Sequence, residues 1–159
     1  VQMLLGIKGD RYTYYALNEF NVLNAEDKTF KTNVSINYEL LETYVGTGLI
    51  FATPTGSTAR NISSVGSIMF PGIDAMQMTP IEPIVNSKIH CIPKSIYIPK
   101  DNIVILTPTD NYKIKIMADG TCVYTGLYDD ITVSLSDKYM TVLADKHNSF
   151  VKKIREKLI

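Results

Sequence analysis

Cysteine is scarce in this sequence. Cys91 and Cys122 are the only two among 159 residues, and they stand 31 positions apart. That is too few for a disulfide-stapled scaffold, and no zinc-ligand spacing surrounds either one. Two reduced thiols fit a cytoplasmic protein. Charge of one sign is lacking as well: 16 Lys and Arg balance 16 Asp and Glu, for a formal net charge of zero. A protein that holds nucleic acid by bulk electrostatics needs a clustered basic excess, so a nucleic-acid partner is not expected. A few local donors could still hold a small anion. No apolar run approaches the about 18 residues that span a bilayer, and no signal-peptide pattern opens the chain, so no membrane partner is expected either.

The chain does have enough apolar material for a core, with 45% hydrophobic residues. Its length gives a prior of one domain that buries roughly 70% of its unfolded surface. It begins with Val1 rather than Met, so a preceding segment of a longer protein is expected. Ten Tyr, abundant Ile, Val and Thr, and turn residues at short intervals read as mainly β. Candidate strands are 11–17, 31–38, 48–53, 103–108, 112–118, 121–124, 130–135 and 139–144. The clearest hairpin turns at Asp119-Gly120, a type I′ signal between alternating Lys and Ile and the run from Thr121 to Tyr124. Turns are also expected at Asp10-Arg11 and Ser136-Asp137.

Two segments break the β pattern. Residues 55–66, rich in Ser, Thr and Gly, predict one short internal helix. Near the end, Asn148 or Ser149 can cap a helix that carries Phe150, Val151, Ile154 and Leu158 on one docking face. Residues 71–99 are rich in Pro and Met, with Ile, Val and Cys between the prolines, which predicts extended segments packed on a core. The expected architecture is a β-sandwich-like domain with one short internal helix and a C-terminal helix.

Chemistry concentrates at 46–59, where an apolar strand enters Thr53-Pro-Thr-Gly-Ser-Thr58. Hydroxyls and convergent backbone N–H groups at a helix start suit an anion or a ribose. Equally, the same hydroxyls could simply cap the turn. No Walker lysine, GxGxxG, HExxH or GxSxG is present. His90 and His147 have no ligand-spaced partners, and sequence spacing pairs none of the carboxylates. No metal site is expected within the chain.

Taken in order, Ala16-Leu-Asn-Glu19, Gly46-x-Gly48-Leu-Ile, Thr53-Pro-Thr-Gly-Ser-Thr-Ala59, Met69-x-Pro71, Thr79-Pro-Ile81, Met117-Ala-Asp-Gly120 and Ser149-Phe150 resemble the C-terminal domain of the NAD kinase family. The resemblance covers essentially the whole chain. It implies a β-sandwich-like domain, here spanning 1–159, that supplies most of the NAD contacts and the surface for a homodimer or homotetramer. It also implies that the catalytic α/β domain, with its Gly-Gly-Asp-Gly motif, lies outside this chain, so no catalytic residue is expected within it. The parent reaction would phosphorylate the adenosine-ribose 2′-hydroxyl of NAD to give NADP. ATP or polyphosphate would be the donor, with a divalent metal such as Mg.

By motif, Asn18 and Glu19 would meet the adenine-ribose region, and Thr58, Ala59 and Ser63 would line an adenine pocket. Asp119 would sit near the phosphorylated ribose. Thr47, with the 79–82 stretch including Glu82, would approach the nicotinamide half. The sequence departs from the family at two of these places. Thr47 stands where an Asp is usual, and Arg60 where a Tyr commonly follows the Ala. A guanidinium can stack on a planar base or attract phosphate but cannot imitate a phenol. These departures motivate a competing reading, a non-catalytic dinucleotide-binding module or pseudo-kinase. A relative among the lipid kinases is disfavoured by the intact TPTGSTA segment.

Overall fold

Apolar and polar residues alternate along many short segments of this chain, which lets two sheets bury one face each against the other. The computed structural model describes residues 2–143, 145 and 147–159. Its strands are β1 (Gln2–Lys8), β2 (Thr13–Ala16), β3 (Glu19–Asn24), β4 (Phe30–Ile36), β5 (Glu39–Gly46), β6 (Gly48–Ala52), β7 (Ala75–Ile81), β8 (Ile96–Pro99), β9 (Val104–Pro108), β10 (Ile114–Ala118), β11 (Thr121–Gly126) and β12 (Ile131–Met140). One antiparallel sheet runs β2-β1-β12-β9-β4-β5, and the second runs β11-β10-β3-β6-β7-β8. Leu5, Ile7, Val34, Val104, Leu106 and Val133 of the first sheet meet Phe20, Val22, Phe51, Met78, Ile114 and Ile116 of the second in one core. Among the described residues no helix is long and apolar enough to cross a membrane.

The mainly β sandwich and its C-terminal helix α1 (Phe150–Leu158) agree with the sequence reading. So does the Asp119-Gly120 hairpin, whose two residues have φ of 48° and 84° as a type I′ turn requires. The internal helix takes the form of two 3₁₀ turns, Thr55–Thr58 and Arg60–Ser64, interrupted at Ala59 (φ −93°, ψ −134°). They pack on β6 and β7, which is why β6 is buried on both faces.

The turn expected at Ser136-Asp137 is absent. β12 continues through it, with Leu135 opposite Leu5 and Tyr139 opposite Met3. The extra residues form a bulge, held by Lys138 N–H donating to Ser136 Oγ (2.9 Å). The strand expected at 139–144 is the end of β12, which stops at Met140; Ala144 lies outside the described residues. Within 71–99, β7 is buried along almost its full length and Cys91 is buried, as extended segments packed on a core should be. Ser149 caps α1 by accepting from Lys152 N–H, but the helix buries no side chain completely, and Val151 and Leu158 of its expected docking face are exposed.

Candidate functional site

The Leu17–Glu19 backbone is held from two directions. On one side, the Asp119 carboxylate accepts from Leu17 N–H (2.8 Å) on Oδ2 and from Asn18 N–H (2.7 Å) and Glu19 N–H (3.1 Å) on Oδ1. The Asp119-Gly120 hairpin projects that carboxylate because both residues turn in the left-handed region, which Asp tolerates. On the other side, Asn18 O accepts from Thr53 N–H (2.9 Å). Thr53 Oγ1 donates to Leu17 O (2.6 Å) and accepts from Gly56 N–H (3.1 Å). Gly56 lies so close to Asn18 that a Cβ there would overlap the Asn18 carbonyl, so the glycine is required by the approach of two backbones. Ser57 Oγ donates to Pro54 O (2.7 Å) and accepts from Met69 N–H (2.9 Å). The hydroxyls of Thr53 and Ser57 are therefore committed to closing the turn.

Among the described residues, that clamp leaves the Asn18 side-chain amide without a hydrogen bond at the edge of a cleft of about 740 Å³. Thr58 and Ala59 line the same cleft from the first 3₁₀ turn, and α1 supplies Phe150, Lys153, Glu156 and Lys157. Phe150 is fixed edge-on against Phe70, with ring centroids 4.9 Å apart. The cleft thus combines an uncommitted amide, a hydroxyl, an aromatic ring and two cations. Such a set can bind a planar base with an anionic group beside it.

A second cleft of about 590 Å³ lies on the outer face of the second sheet, lined by Leu23, Thr47, Arg60, Glu82, Lys115 and Met117 among others. Thr47 Oγ1 donates to Glu82 Oε2 (2.6 Å), so the carboxylate at this place comes from residue 82 rather than 47. Lys115 pairs with Asp27 (2.6 Å), and among the described residues Arg60 has no ion pair. Glu19 sits between the two clefts. Burial raises its carboxyl pKa, with Asp119 adding to the rise, while Arg60 of the second cleft and Lys157 of the first pull it down.

The family model for the ATP-NAD kinase C-terminal domain matches residues 17–144. The chain belongs to this family. It is 32% identical over 152 residues to the NAD kinase of Finegoldia magna, a match covering 93% of this chain and 56% of that protein. It is 33% identical over 158 residues to NAD kinase 1 of Thermosynechococcus vestitus, covering 94% and 49%. The chain spans about half the length of the curated relatives it matches. A crystal structure of yeast NADH kinase complexed with NADH superposes with a TM-score of 0.79 at 23% identity, over 99% of this chain and 48% of that one. An Archaeoglobus fulgidus NAD kinase in complex with ATP gives 0.69 at 19% identity, over 86% and 52%. At those identities the likeness concerns the fold.

Within this NAD kinase C-terminal domain the expected site residues do not form one cluster. Asn18, Thr58 and Ala59 share the first cleft, while Thr47, Arg60 and Glu82 share the second. Ser63 lines neither, and its hydroxyl donates to Arg60 O (2.8 Å). Thr79 is fully buried with its hydroxyl donated to Asn61 Oδ1 (2.6 Å), so the 79–82 stretch reaches the second cleft through Glu82.

Sequence reasoning missed Asn61, which is fully buried and bonds Thr79, Gln77 Oε1 (3.2 Å) and the Ser57 and Ser67 carbonyls. It also missed the contribution of α1, because an amphipathic helix carries no sign of what its polar face borders. No group of three or more His, Cys, Asp or Glu among the described residues could hold a metal.

Proposed function

We propose that this chain is the dinucleotide-holding C-terminal domain, residues 1–159, of a cytoplasmic NAD kinase. The whole protein transfers a phosphoryl group from ATP, or from polyphosphate, to the adenosine-ribose 2′-hydroxyl of NAD, giving NADP. In this reading Asn18, Thr58, Ala59 and Lys157 receive the adenosine end, Thr47, Arg60 and Glu82 face the other half, and Asp119 acts by fixing the Asn18-Glu19 backbone. Phosphoryl transfer is catalysed mostly by positioning and electrostatics, and the chain contributes the positioning. The observation that carries the reading is the free Asn18 amide, held by a doubly clamped backbone beside Thr58 and Ala59. Calorimetric titration with NAD tests it. Asn18→Ala removes a donor and an acceptor, a loss of about 1–3 kcal/mol, or about tenfold or more in affinity. The melting temperature should change little, since the backbone and not the side chain is clamped. Clear binding that is unchanged in Asn18→Ala would refute the assignment, as would no binding to the wild type up to millimolar NAD.

Assembly belongs to the same proposal. A homodimer or homotetramer would cover exposed apolar side chains such as Ile84 and Val85 beside the second cleft. Light scattering at micromolar concentration should show at least a dimer, and a monomer would count against it.

A further inference from the structure

Three buried side-chain nitrogen and oxygen atoms among the described residues have no hydrogen-bond partner: Glu19 Oε2, Asn21 Nδ2 and Asn21 Oδ1. All three belong to one face of β3, because residues two apart on a strand point the same way. The intervening Phe20 and the following Val22 point into the core, so this face is the outer one. Asn21 is fully buried, and Glu19 is 6% exposed. Buried polar atoms are paired in the large majority of cases. An amide orphaned at both ends, on the same strand face as an orphaned carboxyl oxygen, therefore requires a partner that the chain itself does not supply.

Strand register places Asn21 beneath the second cleft. Across the sheet it stands between Met117 of β10 and Ile50 of β6, and its own-strand neighbour on the same face is Leu23. Met117 and Leu23 line the cleft, and so does Arg60. Arg60 also acts electrostatically on Glu19, the other orphaned side chain of this strand face. Among the described residues the guanidinium has no ion pair, and it can stack on a flat group. We propose that Asn21 is a specificity-determining residue of the second cleft. A planar ligand group enters beneath Arg60, and the Asn21 amide pairs with an edge carrying a hydrogen-bond donor beside an acceptor. Nδ2 donates to the ligand's acceptor, and Oδ1 accepts from its donor. The inference rests on the dinucleotide reading above. That reading puts the adenosine end in the first cleft, so the edge that meets Asn21 is the carboxamide of the nicotinamide.

The test titrates the chain with NAD and two analogues. Nicotinic acid adenine dinucleotide replaces the carboxamide by a carboxylate, and nicotinamide hypoxanthine dinucleotide replaces the adenine amino group by an oxo group. The wild type should bind the nicotinic acid analogue about tenfold or more weakly than NAD, and discrimination against the hypoxanthine analogue alone would overturn the inference. Asn21→Leu, close in shape and apolar, should abolish that discrimination and weaken NAD by about the same factor. The variant's melting temperature should hold or rise, because an orphaned amide has been replaced. Should the Leu variant fail to fold, Asn21→Thr, a good strand former, carries the same expectation for binding. NAD binding that falls in Asn18→Ala but is unchanged in Asn21→Leu or Asn21→Thr would overturn this inference alone. Equal binding of NAD and both analogues by the wild type would do the same. No binding of NAD by the wild type would overturn the dinucleotide reading and this inference with it.

Discussion

Replacing Asp119 separates its structural use from any contact with a ligand. Its two carboxylate oxygens accept three backbone N–H groups, at 2.7 to 3.1 Å, from consecutive residues of another strand entry. Hydrogen bonds to a charged group contribute about 1.5–3 kcal/mol when buried, and an exposed carboxylate lowers that to about 1 each. Asp119→Ala therefore costs about 3 kcal/mol in lost bonds. It costs about 1 kcal/mol more for placing Ala in the left-handed region. Asp119→Asn keeps that backbone and one acceptor oxygen, but aims an NH₂ group at Leu17 N–H. That costs about 1–2 kcal/mol.

For a domain of this size each kcal/mol moves the melting temperature by about 2–4 °C. The Ala variant should then melt roughly 10 °C below wild type and the Asn variant a few degrees below. Thermal denaturation measures this, and amide hydrogen exchange locates it, with protection lost at Leu17, Asn18 and Glu19. The reasoning fails if Asp119→Ala melts with the wild type and those three amides keep their protection. The carboxylate would then be free for a ligand, and the loss should appear in the NAD titration instead.

Asn61→Ala removes the hub between the second 3₁₀ turn and β7 and leaves the Thr79 hydroxyl only its 3.3 Å bond to Gln77 Oε1, so urea unfolding should show a loss of about 2–3 kcal/mol. Tyr44→Phe deletes a fully buried hydroxyl that lies 2.6 Å from both Gly48 O and Ile81 O and accepts from Gly48 N–H. It should cost about 1–2 kcal/mol in the same assay, with the cleft at Thr47 loosened because Gly48 and Ile81 flank it. Glu42 is held above the usual carboxylate range by burial, partly offset by Ile92 N–H donating to Oε2 (2.6 Å). As pH rises from the ordinary value toward the raised one, the unfolded chain releases this proton first, so the contribution to stability falls with rising pH. Glu42→Gln keeps an acceptor for Ile92 and should flatten the melting-temperature profile above about pH 4. A profile as steep as wild type would exclude Glu42 as a source of the slope.

The fold was legible wherever alternation and turn chemistry agreed. The Lys-Ile run of β10 and the Asp-Gly turn after it placed one hairpin correctly, and the Pro-punctuated segment read as extended because Ile, Val and Met stand between its prolines. Elsewhere alternation alone was ambiguous. β3 reads Glu-Phe-Asn-Val-Leu-Asn, and its polar positions look solvent-facing, yet Glu19, Asn21 and Asn24 are all buried. Asn24 shares the strand face of Phe20 and Val22 and turns its amide to Thr29 O and Glu26 N–H, while Glu19 and Asn21 lie on the outer face, beside strands that the 3₁₀ turns cover. Ser136 and Asp137 carry turn residues but sit in a bulge, where the local bend is the same and only the partner strand β1 decides that the chain continues.

The candidate site divides along the same line. TPTGSTA marks its turn through local chemistry, since Gly56 and the Thr53 and Ser57 hydroxyls act within a few residues of themselves or on one neighbouring strand. The partition of Asn18 and Thr58 from Thr47 and Glu82 follows the two ends of the β3–β6 pair, where Glu19 stands against Ala52 and Leu23 against Gly48, a property of register. Asp119 lines neither cleft, and its oxygens accept three N–H groups of the backbone that carries Asn18. In the proposed reading it acts through that backbone. Its influence on a bound dinucleotide runs through the position of the Asn18 amide, so loss of Asp119 should weaken NAD only as far as it lets that backbone move.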